Sequence, residues 1–220
     1  MKERDLYPRV ARWAETRLGC FRTALDRGLR LGRIDVVGLR DRGGRLSGRS
    51  EVISIEVKRG NQPFATSVGQ ASGYSIYADR CYLAEYRAVP FSEDEEAIAA
   101  HLGVGLLRIS GESRIRITEV ITAPPNQPLE GLRLELIEKL DYSQCALCNS
   151  LFRRGSGSNW DGVFRVKDRP GAVSRAAAEG RGLAYWLAEQ GERAEPNTDY
   201  TYHRRYLCNG CVWAIAPADT

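Results

Sequence analysis

Residues 51–58, EVISIEVK, limit what this 220-residue chain can fold into more than any other stretch. Val52, Ile53, Ile55 and Val57 are β-branched and follow one another too closely to lie on one face. The segment therefore reads as a strand buried on both faces. Such a strand belongs inside a sheet with helices packed above and below it. Its far end carries Glu56 and Lys58, which share a face because strand side chains alternate with period two. One reading is a solvated ion pair at a strand end. The other is a pair placed for chemistry.

The flanking segments supply the layers. YPRVARWAETRLGCF (7–21) has Val10, Trp13, Ala14 and Leu18 at helical spacing. RIDVVGLR (33–40) reads as a strand, and DRGGRLSGRS (41–50) as a turn by composition. FATSVGQASGYSIYA (64–78) reads as a helix whose small residues allow close packing on a sheet, and RCYLAEY (80–86) as a strand. Ser92 and Glu95 have the spacing of a capping box that opens another helix. VGLLRI (104–109) and RIRITEV (114–120) are two strands joined by SGES. PPNQP (124–128) breaks the chain, and LEGLRLELIEKL (129–140) is a helix. This order predicts an α/β fold over residues 1–141, a mixed central sheet flanked by helices. After Asp141 the pattern becomes turn-rich and cysteine-bearing, so residues 142–220 are expected to form a second, smaller domain.

Charge is unevenly spread. Residues 1–60 carry 15 basic and 8 acidic side chains, whereas residues 61–144 carry 7 and 12. Arginine makes up 28 of the 32 basic residues, and its fork suits phosphate, although arginine-rich codon usage gives the same bias. Lys2, Lys58, Lys139 and Lys167 are the only lysines, which makes Lys58 more informative. No apolar run approaches the roughly 18 residues that span a bilayer. The charged N-terminus lacks the apolar centre of a signal peptide. A cytoplasmic protein with no membrane partner is expected.

Asp35 lies in GRID (32–35), on the strand before EVISIEVK. If the two strands pair through the Gly-rich turn, Asp35 and Glu56 become near neighbours. Two close carboxylates repel unless a proton or cation sits between them. An all-oxygen, hydrated cluster suits Mg²⁺ or Mn²⁺, which can hold a phosphodiester oxygen and lower the pKa of a bound water. A lysine there can position that water or offset charge developing on the phosphate.

Asp35, a gap of 20 residues and then Glu56-Val57-Lys58 resembles the PD-(D/E)XK nuclease superfamily. Gly32-x-x-Asp35 resembles the GxxD form of its first motif. Gln70-Ala-Ser-Gly-Tyr74 resembles the QxxxY motif that follows the lysine in RecB-like and lambda-exonuclease-like members. Ile34 stands where the superfamily's name implies proline. The resemblance covers about residues 8–122 and implies a restriction-endonuclease-like fold. It also implies that Asp35, Glu56 and the Val57 carbonyl hold Mg²⁺ or Mn²⁺, and that Lys58 positions or activates the attacking water. Gln70 and Tyr74 would face the site, and Glu15, on the first helix, would be the upstream acidic residue of the catalytic set. For these last three the ordinary alternatives are helix-surface packing and, at Glu15, pairing with Arg12 or Arg17.

Cys145-x-x-Cys148 and Cys208-x-x-Cys211 are two knuckles whose four thiolates suit tetrahedral Zn²⁺. Between them lie 59 residues, so the metal would staple a domain around an insert. An iron–sulfur cluster and a redox dithiol are the alternatives. Cys20 and Cys81, alone in apolar stretches, read as core residues.

The expected function is a Mg²⁺- or Mn²⁺-dependent deoxyribonuclease, a phosphodiester hydrolase with a zinc domain that aids DNA binding. DNA is expected before RNA because the resembled families mostly cut DNA, and a homodimer is compatible with cutting both strands. The alternative is a catalytically inactive nucleic-acid-binding or protein adaptor that keeps the nuclease fold.

Overall fold

A computed structural model describes residues 2–29, 32–42, 50–112, 114–144, 149, 151–153, 162–165 and 206–208. The chain divides into two units. One comprises Met1–Asp41 and Glu51–Leu136, the other Arg42–Ser50 and Ile137–Thr220. The division thus falls a few residues before the composition change at Asp141, and the second unit also takes the turn after Asp41.

The larger sheet has six strands in chain order: β1 (Cys20–Leu29), β2 (Gly32–Asp41), β3 (Ser50–Lys58), β4 (Arg80–Tyr86), β5 (Val104–Ser110) and β6 (Arg116–Ile121). β1 and β2 are antiparallel, β3, β4 and β5 run parallel, and β6 is antiparallel to β5. The sheet is mixed and helices flank it. Parallel neighbours need crossovers. Helices α2 (Phe64–Gly73) and α3 (Glu93–His101) come after β3 and β4 in sequence and supply them. Ser92 caps α3 through the Glu95 N–H at 3.2 Å, and Glu95 returns the bond to the Ser92 N–H at 2.8 Å.

Both faces are covered, as the strand EVISIEVK requires. On one face α1 (Tyr7–Trp13) and the turn that follows it place Val10, Ala11 and Ala14 against Ile53, Ile55 and Val57. On the other, Val68 and Ala71 of α2 and Ala99 of α3 pack on Leu83 and Leu106. Each fully buried aliphatic side chain contributes about 1.5–3 kcal/mol by leaving water. Val52 through Lys58 are buried without a break.

The sequence pattern extends the first helix to residue 21, and the structure stops it earlier. After Trp13 the helix widens into a π turn (Ala14–Leu18), and Gly19 ends it with φ 73°, a left-handed stop that glycine adopts without strain. Chain from Cys20 onward is β1. Its alternation is hidden because it is an edge strand, half-exposed, with Arg22, Asp26 and Arg27 among its apolar residues. Cys20 and Cys81 are buried free thiols, and burial pushes them up to about 12 and about 11.

Two polar clusters pin β3 and β4 to residues 123 and 133, beyond the sheet's last strand. Asp79 Oδ2 accepts from the Val52 N–H at 2.6 Å and from Arg133 Nε at 2.7 Å. Glu51 Oε2 receives both Arg40 and Arg80, and Arg80 also donates to the Ala123 carbonyl. All three charged side chains of the Glu51 cluster are largely buried.

Helix α4 (Glu130–Lys139) precedes two short antiparallel pairs, β7 (Tyr142–Gln144) with β8 (Leu151–Arg153) and β9 (Gly162–Arg165) with β10 (Tyr206–Cys208). Cys208 is the last residue of β10. Cys145, Cys148 and Cys211 lie outside the described residues, and the four-cysteine site with them. Among the described residues no helix is long and apolar enough to cross a membrane.

Candidate active site

Glu56 and Lys58 sit at the C-terminal end of β3, the first of three parallel strands. Ligands of open α/β sheets gather at such ends. Val57 packs into the α1 face, so Glu56 and Lys58 project from the opposite face, toward the segment after α2. They are not a solvated pair. Glu56 is 1% exposed and Lys58 7%, and Lys58 Nζ lies 2.5 Å from Glu56 Oε1. Burying two charges costs several kcal/mol per ion, roughly, unless each is well partnered.

Asp35 arrives from β2. Its Oδ2 accepts the Val57 N–H at 2.8 Å, so a side-chain carboxylate takes a bond from the β3 backbone. In a strand the N–H and C=O of one residue point to the same edge. The Val57 carbonyl therefore also faces the β2 side, where Asp35 lies. Burial and the Asp35 charge push the Glu56 carboxyl above its usual range, against the opposing pull of Lys58 and Tyr74. Burial pulls Lys58 down, but Glu56, Glu3 and Asp35 more than reverse it and hold the ammonium charged. Both shifts run upward: burial leads at Glu56 with the Asp35 charge behind it, whereas at Lys58 the surrounding carboxylates overcome burial.

Tyr74 completes the shell. It stands in a short 3₁₀ turn (Tyr74–Ile76) directly after α2. Its hydroxyl lies 2.9 Å from Glu56 Oε2 and 2.7 Å from the Arg33 carbonyl, and it accepts from Gln70 Nε2 at 3.3 Å. One phenol hydrogen cannot serve two acceptors. The hydroxyl therefore donates to Glu56 Oε2 or to the Arg33 carbonyl in turn, while Gln70 fills a lone pair of its oxygen. Burial and the Glu56 charge push the Tyr74 phenol well above its usual range, so it stays protonated at neutral pH. Gln70 itself is exposed and reaches the site only through Tyr74.

No family model matches the chain, and no curated protein or solved structure is significantly similar to it. The site's chemistry must be read from its own atoms.

The structure brings together Asp35, Glu56, Val57, Lys58, Tyr74 and, at one remove, Gln70. It does not bring in Glu15. That residue lies eight positions beyond Tyr7, a rise of roughly 12 Å along the helix, and is exposed with Oε1 accepting from Thr23 Oγ1 at 2.6 Å. The nearer acidic residue is Glu3, whose charge acts on Lys58 and whose Oε1 lies 3.4 Å from the Tyr7 hydroxyl. Tyr7 was not singled out from the sequence. Its phenol is hydrogen-bonded to Asp35 and, through burial first and that bond second, is pushed well above its usual range. A signal was available: Tyr7 belongs to the buried stripe with Val10, Ala14 and Leu18, and a buried tyrosine hydroxyl needs a partner.

Among the described residues no group of three or more His, Cys, Asp or Glu side chains is set to hold a metal ion. The donors present fit a cation that needs fewer side chains. Mg²⁺ is commonly held by one or two carboxylates while keeping several waters. Asp35, the Val57 carbonyl and Glu56 are hard oxygen donors of that kind, around a surplus of negative charge.

Gly60 closes the strand end behind Lys58. It has φ +70°, and a Cβ there would stand 2.7 Å from the Tyr86 carbonyl oxygen and 3.1 Å from Glu85 Oε1. Gly60→Ala is expected to cost about 1–3 kcal/mol, seen as a lower urea midpoint at constant slope. An unchanged midpoint would mean that this turn is not held as described.

Proposed function

We propose that the chain is a metal-dependent nuclease that hydrolyses phosphodiester bonds of DNA, with Asp35, Glu56 and the Val57 carbonyl as ligands of Mg²⁺ or Mn²⁺. The observation that carries this reading is the buried Glu56–Lys58 pair beside Asp35 at the end of a parallel strand. A bound divalent ion would supply an anchor for a phosphate oxygen and a water of lowered pKa. Asp35 is oriented for this by the Val57 N–H, which fixes Oδ2. Lys58 must turn off Glu56 Oε1 before that oxygen can serve as a ligand. The freed ammonium is then available to orient the attacking water or offset charge on the phosphate. Tyr74 holds Glu56 Oε2, and Gln70 holds Tyr74, so both act as positioning residues. We assign Cys145, Cys148, Cys208 and Cys211 to a structural Zn²⁺ that orders a nucleic-acid-binding second domain.

The competing reading is an adaptor that keeps this architecture without catalysis. It takes the double engagement of Glu56, by Lys58 and Tyr74, as structural only. Calorimetry with Mn²⁺ separates the two. Saturable binding is expected in wild type and its loss in Asp35→Asn. Because the Glu56 carboxyl sits above its usual range, binding should release protons, and affinity should start to fall at a higher pH than for an ordinary glutamate. Titrations in buffers of different ionisation enthalpy measure the release. Binding that does not depend on Asp35 favours the adaptor.

A further inference from the structure

A second concave surface lies away from the carboxylates. The last turn of the first helix and the edge strand β6 enclose a groove of about 700 Å³, within the range of small-molecule sites. Trp13 and Ile117 form its apolar wall, and both are only partly buried where they pack on the core. Arg17 and Arg116 stand at its rim, exposed, and neither makes an ion pair among the described residues. Glu119 also lines it, and its Oε1 accepts from the Tyr82 hydroxyl at 3.0 Å, which fixes that carboxylate in place.

Ile117 and Glu119 share the strand face that carries the core packed on Trp13, while Arg116 alternates to the other face and borders the groove from the strand edge. Among the described residues the groove thus carries two guanidinium groups outside any ion pair, a half-exposed indole and an anchored carboxylate. Arginine forks recognise phosphate, an indole face stacks on a base, and a carboxylate accepts from an exocyclic amine.

We propose that this groove binds one nucleotide, with its phosphate between Arg17 and Arg116, its base against Trp13 and the base's amino group toward Glu119. The same chemistry is met in a free nucleotide and in one unit of a single strand. The assignment does not depend on the carboxylate site. The groove begins at Trp13, six residues beyond Tyr7 and so roughly 9 Å along the helix.

Calorimetry on the full chain tests it, in EDTA so that divalent metal plays no part. The probes are adenosine 5′-monophosphate, adenosine and a short oligo(dA). The monophosphate should bind with one-to-one stoichiometry, and adenosine at least about tenfold more weakly, because the phosphate contacts are lost. Arg17→Ala, Arg116→Ala and Trp13→Phe should each weaken the monophosphate, with Arg17→Ala/Arg116→Ala losing about 100-fold. Arg17 and Arg116 are exposed, and phenylalanine keeps the apolar contact at position 13, so all these variants should fold. If the oligonucleotide binds more tightly and the monophosphate competes with it, the natural ligand is a strand. If it binds no more tightly, the ligand is a free nucleotide. Absence of binding by both, or binding unaltered in the double-arginine variant, overturns the proposal.

Discussion

Replacing Lys58 by alanine is expected to lower metal-dependent DNA cleavage by about 10²- to 10⁴-fold, the usual range for losing a positioned group that acts on the attacking water. Mn²⁺ affinity should rise rather than fall. Lys58 holds Glu56 Oε1 at 2.5 Å, so its ammonium competes for the oxygen that a cation needs. A loss of rate with a gain in metal binding is the signature of Lys58 acting on the reaction. Equal loss of both would make it a support for Glu56 only. Alanine leaves Glu56 buried beside Asp35, so folding must be checked, and Lys58→Gln supplies a second variant. Glutamine can still donate to Glu56 but carries no charge, and it should show the same loss of rate.

The second large effect concerns stability. Glu51→Ala is expected to destabilise the protein by about 3–5 kcal/mol, because removing one partner of a buried cluster strands the others. Arg40 and Arg80 both converge on Glu51 Oε2, and their side chains are only 16% and 8% exposed. Each keeps a backbone acceptor, Arg40 at the Leu18 carbonyl and Arg80 at that of Ala123, but neither keeps a counter-charge there. Urea denaturation reads the loss as a lower midpoint. The cluster also predicts a pH dependence. Burial alone would raise the Glu51 carboxyl, but Arg80 and Arg40 outweigh it and hold it below its ordinary value of 4.5. A group with a depressed folded pKa contributes stability above its unfolded value and loses it as pH falls through the folded one. Wild type should therefore lose this contribution below about pH 4.5, and Glu51→Ala should lack that component of the acid slope. A midpoint in Glu51→Ala that matches wild type at neutral pH would contradict the role given to the cluster.

Much of the fold could be read in the sequence because its central strands are continuous apolar runs. EVISIEVK, RCYLAEY and VGLLRI declared themselves by composition, and Ser92 with Glu95 marked a helix start that the structure keeps. β1 escaped because an edge strand with charged residues has neither a helical nor a clean alternating pattern. The site was half legible for a related reason. Glu56 and Lys58 are conspicuous as charges in an apolar strand, and period two alone puts them on one face. Tyr7 is inconspicuous, because a tyrosine in a helix stripe looks like core until its hydroxyl is placed. Glu15 is engaged by Thr23, because helix position as well as acidity decides what a carboxylate reaches. Eight residues of rise separate it from Tyr7, whereas Glu3 lies one turn away from Tyr7 on the near side.

The adaptor and nuclease readings share every distance at the site, so the decisive observation is a reaction. The most direct measurement is cleavage of end-labelled linear DNA and of supercoiled plasmid in Mg²⁺ or Mn²⁺, comparing wild type with Asp35→Asn purified identically. Metal-dependent cleavage that is abolished by EDTA and reduced at least about 100-fold in Asp35→Asn is the predicted result. The same trace activity in both proteins, or none in either at full metal saturation, would contradict a nuclease site at Asp35, Glu56 and Lys58.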